Sequence, residues 1–225
     1  MTRIKICGIS DVDAARVAAE AGANAIGLIF APSRRRVTAE RAREVTSSLP
    51  PFIAKVGVFV DEGREVVKEI VARAGLDTVQ LHGSETPDYC AAMPVPVVKV
   101  IRVRDADSLS ALQPYLVAAF LLDTYDPETL GGTGRPFDWN LAAKLRGPHR
   151  IILSGGLNAT NVVEALDRVR PFGVDVSSGV ETDGRKDHSK IREFIRRVRE
   201  WDYENEITLA RSAQRATRRE ESRDR

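Results

Sequence analysis

The sequence predicts an α/β fold, a single (β/α)8 TIM barrel followed by a polar C-terminal extension. Eight short apolar segments recur along the chain, and a segment with helical character follows each of them. Most of these segments are continuously apolar, which is typical of parallel strands with helices on one face and a filled interior on the other. Eight such units in 225 residues leave little room for insertions. This arrangement favours a compact barrel.

The predicted strands are Arg3–Cys7, Ala25–Phe30, Ala54–Val60, Thr78–Leu81, Val97–Val103, Ala118–Leu122, Arg150–Leu153 and Gly173–Val176. The helices between them have readable ends. Ser10, with Asp13 three residues later, predicts a capping-box start for the first helix, and Gly22 predicts its end. Thr38 is the expected cap of the second helix.

An open, doubly wound sheet is the alternative fold. It seldom contains eight equivalent units, and no G-x-G-x-x-G follows the first predicted strand. We therefore assign residues 1–201 to the barrel. Residues 202–225 carry six arginines against six acidic residues and lack a dense apolar stripe. They predict a charged tail that is disordered or partly helical.

Composition excludes several classes of function. A formal net charge of +2 gives no general attraction to nucleic acid or to an anionic membrane. No apolar run is long enough to span a bilayer, and the N-terminus enters a strand without a signal-peptide pattern. Cys7 and Cys90 form neither a disulfide framework nor a metal-ligand motif. We expect a cytoplasmic protein without metal, cofactor, nucleic-acid or membrane partner, and the sequence leaves the oligomeric state open.

Two of the predicted strands end in runs of small residues. Ile151–Leu153 leads into Ser154-Gly155-Gly156, and Val174–Val176 leads into Ser177-Ser178-Gly179. Small residues let the backbone approach a ligand closely, and free N–H groups can hold an anion. In a (β/α)8 barrel the loops after strands 7 and 8 form the usual phosphate site. We therefore expect a phosphorylated small molecule as substrate.

The carboxyl ends of the other strands supply the candidate catalytic groups. Cys7 ends the first strand, where it is either a buried thiol acting as a small hydrophobe or a base whose pKa nearby cations lower. Asp123 ends the sixth strand, where it is either catalytic or a capping or ion-pairing group, with Asp126 as a competitor. One arginine of Arg34–Arg36 could hold a carboxylate through its forked donors, although such a run is usually a solvated surface.

Three further features are less specific. His82 could shuttle protons or satisfy a polar contact, and the second reading is favoured. Asp175 points into the barrel or its mouth, depending on strand register, and we expect it to support the site. Gly131–Gly134 predicts a mobile or tightly bent loop over the mouth, but no Gly-Lys-Ser/Thr follows it, as a P-loop would require. This set of groups suits an isomerase better than a hydrolase, because no Ser-His-acid order is evident.

Several motifs together resemble the phosphoribosylanthranilate isomerase family, in order from residue 3 to about residue 200. They are Lys5-Ile6-Cys7-Gly8-Ile9, Gly57-Val58-Phe59-Val60, Val79-Gln80-Leu81-His82-Gly83, Leu121-Leu122-Asp123, Gly131-Gly132-Thr133-Gly134 with Phe137-Asp138-Trp139, Leu153-Ser154-Gly155-Gly156-Leu157-Asn158 and Val174-Asp175-Val176-Ser177-Ser178-Gly179-Val180-Glu181. The segment between Asp123 and Gly131 is slightly longer than the family pattern. The preference for Asp123 over Asp126 therefore depends on its position at the strand end.

The resemblance implies a (β/α)8 barrel that catalyses an Amadori rearrangement in tryptophan biosynthesis without a cofactor. It implies that Cys7 is the general base and Asp123 the general acid, and that Arg36 binds the anthranilate carboxylate. The remaining substrate-binding candidates are His82, Asp175, Gly155, Gly156, Ser178 and Gly179, the last four as phosphate ligands.

Two other functions compete with this one. A related barrel isomerase acting on a histidine-pathway aminoaldose would carry an aspartate where this chain has Cys7. A catalytically silent barrel could instead serve as a scaffold through its charged tail, in which case deletion of residues 202–225 would abolish binding of its partner.

Overall fold

The computed structural model describes residues 1–125, 137–145 and 148–221, with side chains up to residue 208. Eight parallel strands form a closed barrel in chain order, which confirms the predicted fold. The strands are β1 (Arg3–Cys7), β2 (Ala25–Ile29), β3 (Ala54–Phe59), β4 (Thr78–Leu81), β5 (Val97–Val103), β6 (Ala119–Thr124), β7 (Ile151–Leu153) and β8 (Gly173–Val176). The helices are α1 (Val12–Ala21), α2 (Ala39–Ser47), α3 (Arg64–Ala74), α4 (Pro87–Ala91), α5 (Trp139–Ala143), α6 (Val162–Val169) and α7 (His188–Glu221).

The helix ends follow local hydrogen-bonding rules, with one correction to the sequence prediction. Asp11, not Ser10, caps α1, and its carboxylate accepts a hydrogen bond from the Ala14 amide at 2.7 Å. Aspartate and serine are equally good acceptors at a helix N-cap, so residue type alone does not decide which of these two adjacent residues caps the helix. Gly22 ends α1 at a left-handed φ of 103°, and Thr38 caps α2, both as predicted.

The buried apolar side chains of the strands form two layers. One set of buried residues packs between the sheet and the helices and includes Ile4, Ile6 and Leu122. A second, smaller cluster lies inside the barrel, and its members are Val98, Val100, Ala119 and Leu121, with Ile152 packed against them. Strands β5, β6 and β7 therefore contribute apolar groups to the interior of the barrel.

The final helix, α7, is also the longest, and it fastens the N-terminus of the chain. The buried Asp202 carboxylate accepts hydrogen bonds from the Thr2 amide and hydroxyl at 2.8–3.0 Å. Arg199 binds the same carboxylate and also donates to the Thr2 carbonyl. The division of the chain after residue 201 stays a prediction, although Asp202 lies beyond it and is buried against the barrel. No helix within the described ranges is long and apolar enough to cross a membrane.

Asp202→Ala should lower the free energy of unfolding by about 2–3 kcal/mol, because the buried donors of Thr2 lose their acceptor. Turnover should not change, since this contact precedes β1 at the end of the barrel opposite the strand C-termini. Urea denaturation and steady-state kinetics measure the two effects. Glu204→Ala, which removes an exposed carboxylate of the same helix, is the matched control and should change neither. An equal loss of stability in both variants would contradict this account.

Candidate active site

A cavity of about 310 Å³ opens at the carboxyl ends of the barrel strands. Residues from seven strands or from the loops that follow them line it, among them Cys7, Ile29, Val58, Gln80, His82, Leu121, Asp123, Ser154 and Asp175. This volume lies in the range of small-molecule sites. The structure therefore brings together both predicted catalytic residues and both predicted phosphate-loop segments around one space.

Cys7 is the last residue of β1 and is buried, with an exposed fraction of 5%. It pairs with Gly27 of β2, and a Cβ atom at Gly27 would lie 2.8 Å from the Cys7 Sγ. Burial raises the pKa of the Cys7 thiol, while the positive charges of Lys5 and Lys186 act in the opposite direction. The sulfur thus lies in an enclosed but electropositive environment.

An ion pair lies inside the barrel next to this thiol. Lys5 Nζ donates to Asp175 Oδ1 at 2.8 Å, and both side chains are less than a tenth exposed. The other oxygen, Asp175 Oδ2, accepts a bond from the Ser154 hydroxyl at 3.3 Å. Asp175 therefore points into the barrel, and it contacts Lys5 and Ser154 within the protein.

Asp123 lies on β6 and is buried, with one carboxylate oxygen held by the Thr124 amide at 2.8 Å. Its other oxygen lies 3.4 Å from His82 Nε2. That nitrogen is buried and makes no hydrogen bond within the described part of the chain. Thr124, not Asp123, is the last residue of β6. The competing Asp126 and the Gly131–Gly134 loop lie outside the described residues.

The two segments predicted to bind phosphate, residues 154–156 after β7 and 177–179 after β8, lie against each other. Gly155 and Gly156 both adopt left-handed φ angles, 81° and 65°. A side chain at Gly155 would collide with Thr124 and crowd the Asp123 carboxylate. A side chain at Gly179 would collide with the carbonyl oxygen of Leu157. Glycine is therefore required at these positions for the loops after β7 and β8 to close around one end of the cavity.

The arginine run divides between two surfaces. Arg35 lines the cavity, whereas Arg36 is exposed and lines a separate groove with residues of α2 and α3. The Arg35 guanidinium is held by Glu181, with Nε to Oε1 at 2.6 Å and Nη2 to Oε2 at 2.8 Å. The Arg36 side chain does not lie among the residues that line the cavity. Its expected contact with the substrate carboxylate therefore stays a prediction.

Glu181 begins a short hairpin after β8, formed by β9 (Glu181–Thr182) and β10 (Arg185–Lys186). Besides Arg35, its carboxylate binds Arg34 at 2.8 Å and Lys186 at 2.7 Å. Burial alone would raise the pKa of Glu181, but the bonds from Arg35 and Lys186 lower it to about 2. Glu181 is thus an anion that joins the loop after β2 to the segment after β8.

Sequence reasoning missed three charged residues of this region, namely Lys5, Glu181 and Lys186. Lys5 and Glu181 occur inside recognised motifs, but nothing in the motif spacing shows that they meet other charges. The detectable signal at Lys5 was a charged residue inside an apolar strand. Within the described ranges, no group of three or more His, Cys, Asp or Glu side chains could hold a metal ion.

Comparison with known proteins identifies relatives along most of the chain. The family model of N-(5'-phosphoribosyl)anthranilate (PRA) isomerase matches residues 4–197. The chain is 50% identical over 202 residues to N-(5'-phosphoribosyl)anthranilate isomerase of Desulforudis audaxviator, covering 89% of this chain and 99% of that protein. It is 48% identical over 203 residues to the protein of the same name from Geobacter sulfurreducens, covering 89% and 100% of the two chains.

Solved structures agree with this family. Phosphoribosyl anthranilate isomerase from Thermotoga maritima superposes with a TM-score of 0.81 at 40% identity, covering 88% of this chain and 99% of that one. A phosphoribosyl anthranilate isomerase in complex with reduced 1-(o-carboxyphenylamino)-1-deoxyribulose 5-phosphate superposes with a TM-score of 0.76 at 38% identity, with the same coverage. Since the family model spans most of the barrel and close relatives match almost end to end, the chain belongs to the PRA isomerase family and is an isomerase.

Proposed function

We propose that this isomerase converts N-(5-phosphoribosyl)anthranilate into 1-(2-carboxyphenylamino)-1-deoxyribulose 5-phosphate in tryptophan biosynthesis, with Cys7 and Asp123 as its base and acid. The observation that carries the assignment is that Cys7 and Asp123 line one cavity together with the loops after β7 and β8. A substrate whose phosphate is held by these loops would reach both groups with its sugar. The proposed roles require no movement of Cys7 or Asp123 away from its strand.

The reaction begins with protonation of the furanose ring oxygen by Asp123. The bond between this oxygen and carbon 1 breaks, and the nitrogen lone pair forms the double bond of a Schiff base. The Cys7 thiolate then removes the proton from carbon 2, and the electrons of that bond form an enolamine. Tautomerisation of the enolamine gives the ketone, so the reaction has no net gain or loss of atoms or electrons. Each general acid–base step of this kind contributes about 10²–10⁴-fold in rate.

The phosphate ligands in this proposal are the backbone amides of Gly155, Gly156, Ser178 and Gly179. Gly155 and Gly156 support it, because they lack Cβ atoms and adopt left-handed φ angles, so that a phosphate can approach the backbone closely. His82 is proposed to contact the opened sugar. Its buried Nε2 has no hydrogen-bond partner among the described residues, and such a group gains stability when a ligand supplies one. Asp175 on β8 is proposed to contribute to substrate binding from the Cys7 side of the cavity.

The proposed reaction requires a small phosphorylated molecule as its only partner. The expectation of no nucleic-acid or anionic-membrane partner rests on the nearly balanced charge of the chain. The expectation of a cytoplasmic location rests on the absence of a signal-peptide pattern and of a disulfide framework in the sequence. A scaffold role through the tail would need a surface that attracts a partner. The net charge of residues 202–225 is zero, which disfavours attraction of a partner by charge.

Cys7→Ser and Asp123→Asn should each lower kcat by about 10²–10⁴-fold without loss of fold, because each removes one proton-transfer group and keeps the side-chain size. Loss of anthranilate fluorescence during substrate consumption measures the rate, and growth rescue of a tryptophan-requiring strain lacking this step gives an independent measure. Cys90→Ser is the control, since Cys90 is buried in α4 away from the cavity. Near-normal turnover in either active-site variant would refute the assignment.

Arg36→Lys should raise KM by about 10–100-fold with a small change in kcat, because lysine keeps the charge but loses the forked donors that grip a carboxylate. Arg35→Lys is the matched comparison, since Arg35 is the arginine that already lines the cavity. Steady-state kinetics of both variants decides between them. A larger rise in KM for Arg35→Lys would transfer carboxylate binding to Arg35.

A further inference from the structure

The ion pair of Lys5 and Asp175 is costly and has no part in the proton transfers described above. The two residues face each other on adjacent strands, β1 and β8, and their side chains are only 7% and 6% exposed. Removing two charges from water costs several kcal/mol per ion, and such a pair is often less stable than apolar side chains of similar size. The barrel fills equivalent inward positions on β5 with Val98 and Val100. The cost of the pair therefore points to an effect on its nearest reactive neighbour.

That neighbour is Cys7. Both Lys5 and Cys7 point inward from β1 and reach over Gly27, whose missing Cβ atom would lie 2.8 Å from Cys7 Sγ and 3.1 Å from Lys5 Cε. Glycine at this position leaves the space that both side chains occupy. Lys5 is thus placed between the Asp175 carboxylate, 2.8 Å from its Nζ, and the thiol.

We propose that Lys5 and Asp175 are positioning residues that set the balance between thiol and thiolate at Cys7, and that they act in opposite directions. The Lys5 ammonium favours the thiolate. The Asp175 carboxylate disfavours it, because it draws the ammonium toward itself and adds a negative charge nearby. The proposal rests on the role of Cys7 as the base, and it gives Asp175 an effect that reaches the reaction through Lys5.

Other charged groups also face Cys7. Lys186 on β10 also favours the thiolate, and Arg35 after β2 adds a further positive charge, but both are bound to Glu181. Asp123 and His82 face the thiol from the other side of the cavity.

Lys5 keeps its charge throughout the working pH range. Burial alone would lower its pKa, but Asp175 and Cys7 raise it to about 12. The field that it exerts on the thiol is therefore constant with pH.

The test is the pH dependence of Cys7 alkylation by iodoacetamide in the full-length chain without substrate, in a Cys90→Ala background. Only the thiolate reacts, so the midpoint of the rate profile reports the Cys7 pKa. Asp175→Asn should move the midpoint down by about one pH unit, and Lys5→Met should move it up by about one unit. The double variant should lie between the two. The acidic limb of the kcat/KM profile should move in the same directions.

Opposite shifts distinguish this role from a structural one, since a loosened barrel would expose the thiol in both variants and move the midpoint the same way. Shifts of equal sign, or no shift, overturn the proposal. A rise in KM for Asp175→Asn without a change in the midpoint also overturns it and makes Asp175 a substrate contact. If Lys5→Met does not fold, Asp175→Asn decides alone, because it keeps the shape of the side chain and removes only its negative charge. The alkylation measurements need no turnover, so they stay valid if Cys7→Ser refutes the proposed function.

Discussion

The whole site depends on one constraint, the closure of eight parallel strands into a barrel. Closure forces the side chains of every strand to alternate between the helix layer and the interior. On β1 the alternation sends Ile4 and Ile6 to the helices and Lys5 and Cys7 inward. The same rule turns Asp123 inward from β6. Because rigid strands carry these groups, their separation is fixed by the barrel and changes little with loop conformation.

In the described part of the mouth, two groups of buried ions are paired within the protein. Lys5 is paired with Asp175, and Glu181 is shared by Arg34, Arg35 and Lys186. The second group has three cations for one carboxylate, and the low pKa of Glu181 keeps that carboxylate ionised. Its excess of positive charge lies beside the loop after β8, on the side of the cavity where an anionic substrate is proposed to bind. An anionic substrate would therefore be attracted to the cavity before any specific contact is made.

The strands and the loop segments that line the cavity could be predicted from the sequence, because those features depend on local patterns. Apolar runs placed all eight strands, and the small residues of Ser154–Gly156 predicted a loop segment that lines the cavity. The sequence could not predict which of Arg34–Arg36 faces the cavity, because the loop geometry after β2 decides it. Nor could it pair Lys5 with Asp175, since 170 residues separate them and only closure of β8 onto β1 brings them together. The N-cap of α1 is Asp11 and not Ser10 for a similar reason, because local chain geometry decides between two adjacent residues that are both suitable caps.

Cysteine is an unusual choice for a base inside an apolar barrel, because burial favours the neutral thiol and makes the residue inert. A base at Cys7 therefore requires a nearby positive charge that is itself stable in the interior. Burial opposes the charged form of a lysine in the interior, so a buried ammonium costs the barrel stability. Asp175 offsets part of this cost by pairing with Lys5, at the expense of part of the field that reaches the sulfur. The pair is thus a compromise between a stable buried ammonium and a reactive thiol, and the glycine at position 27 is what lets the two side chains lie side by side.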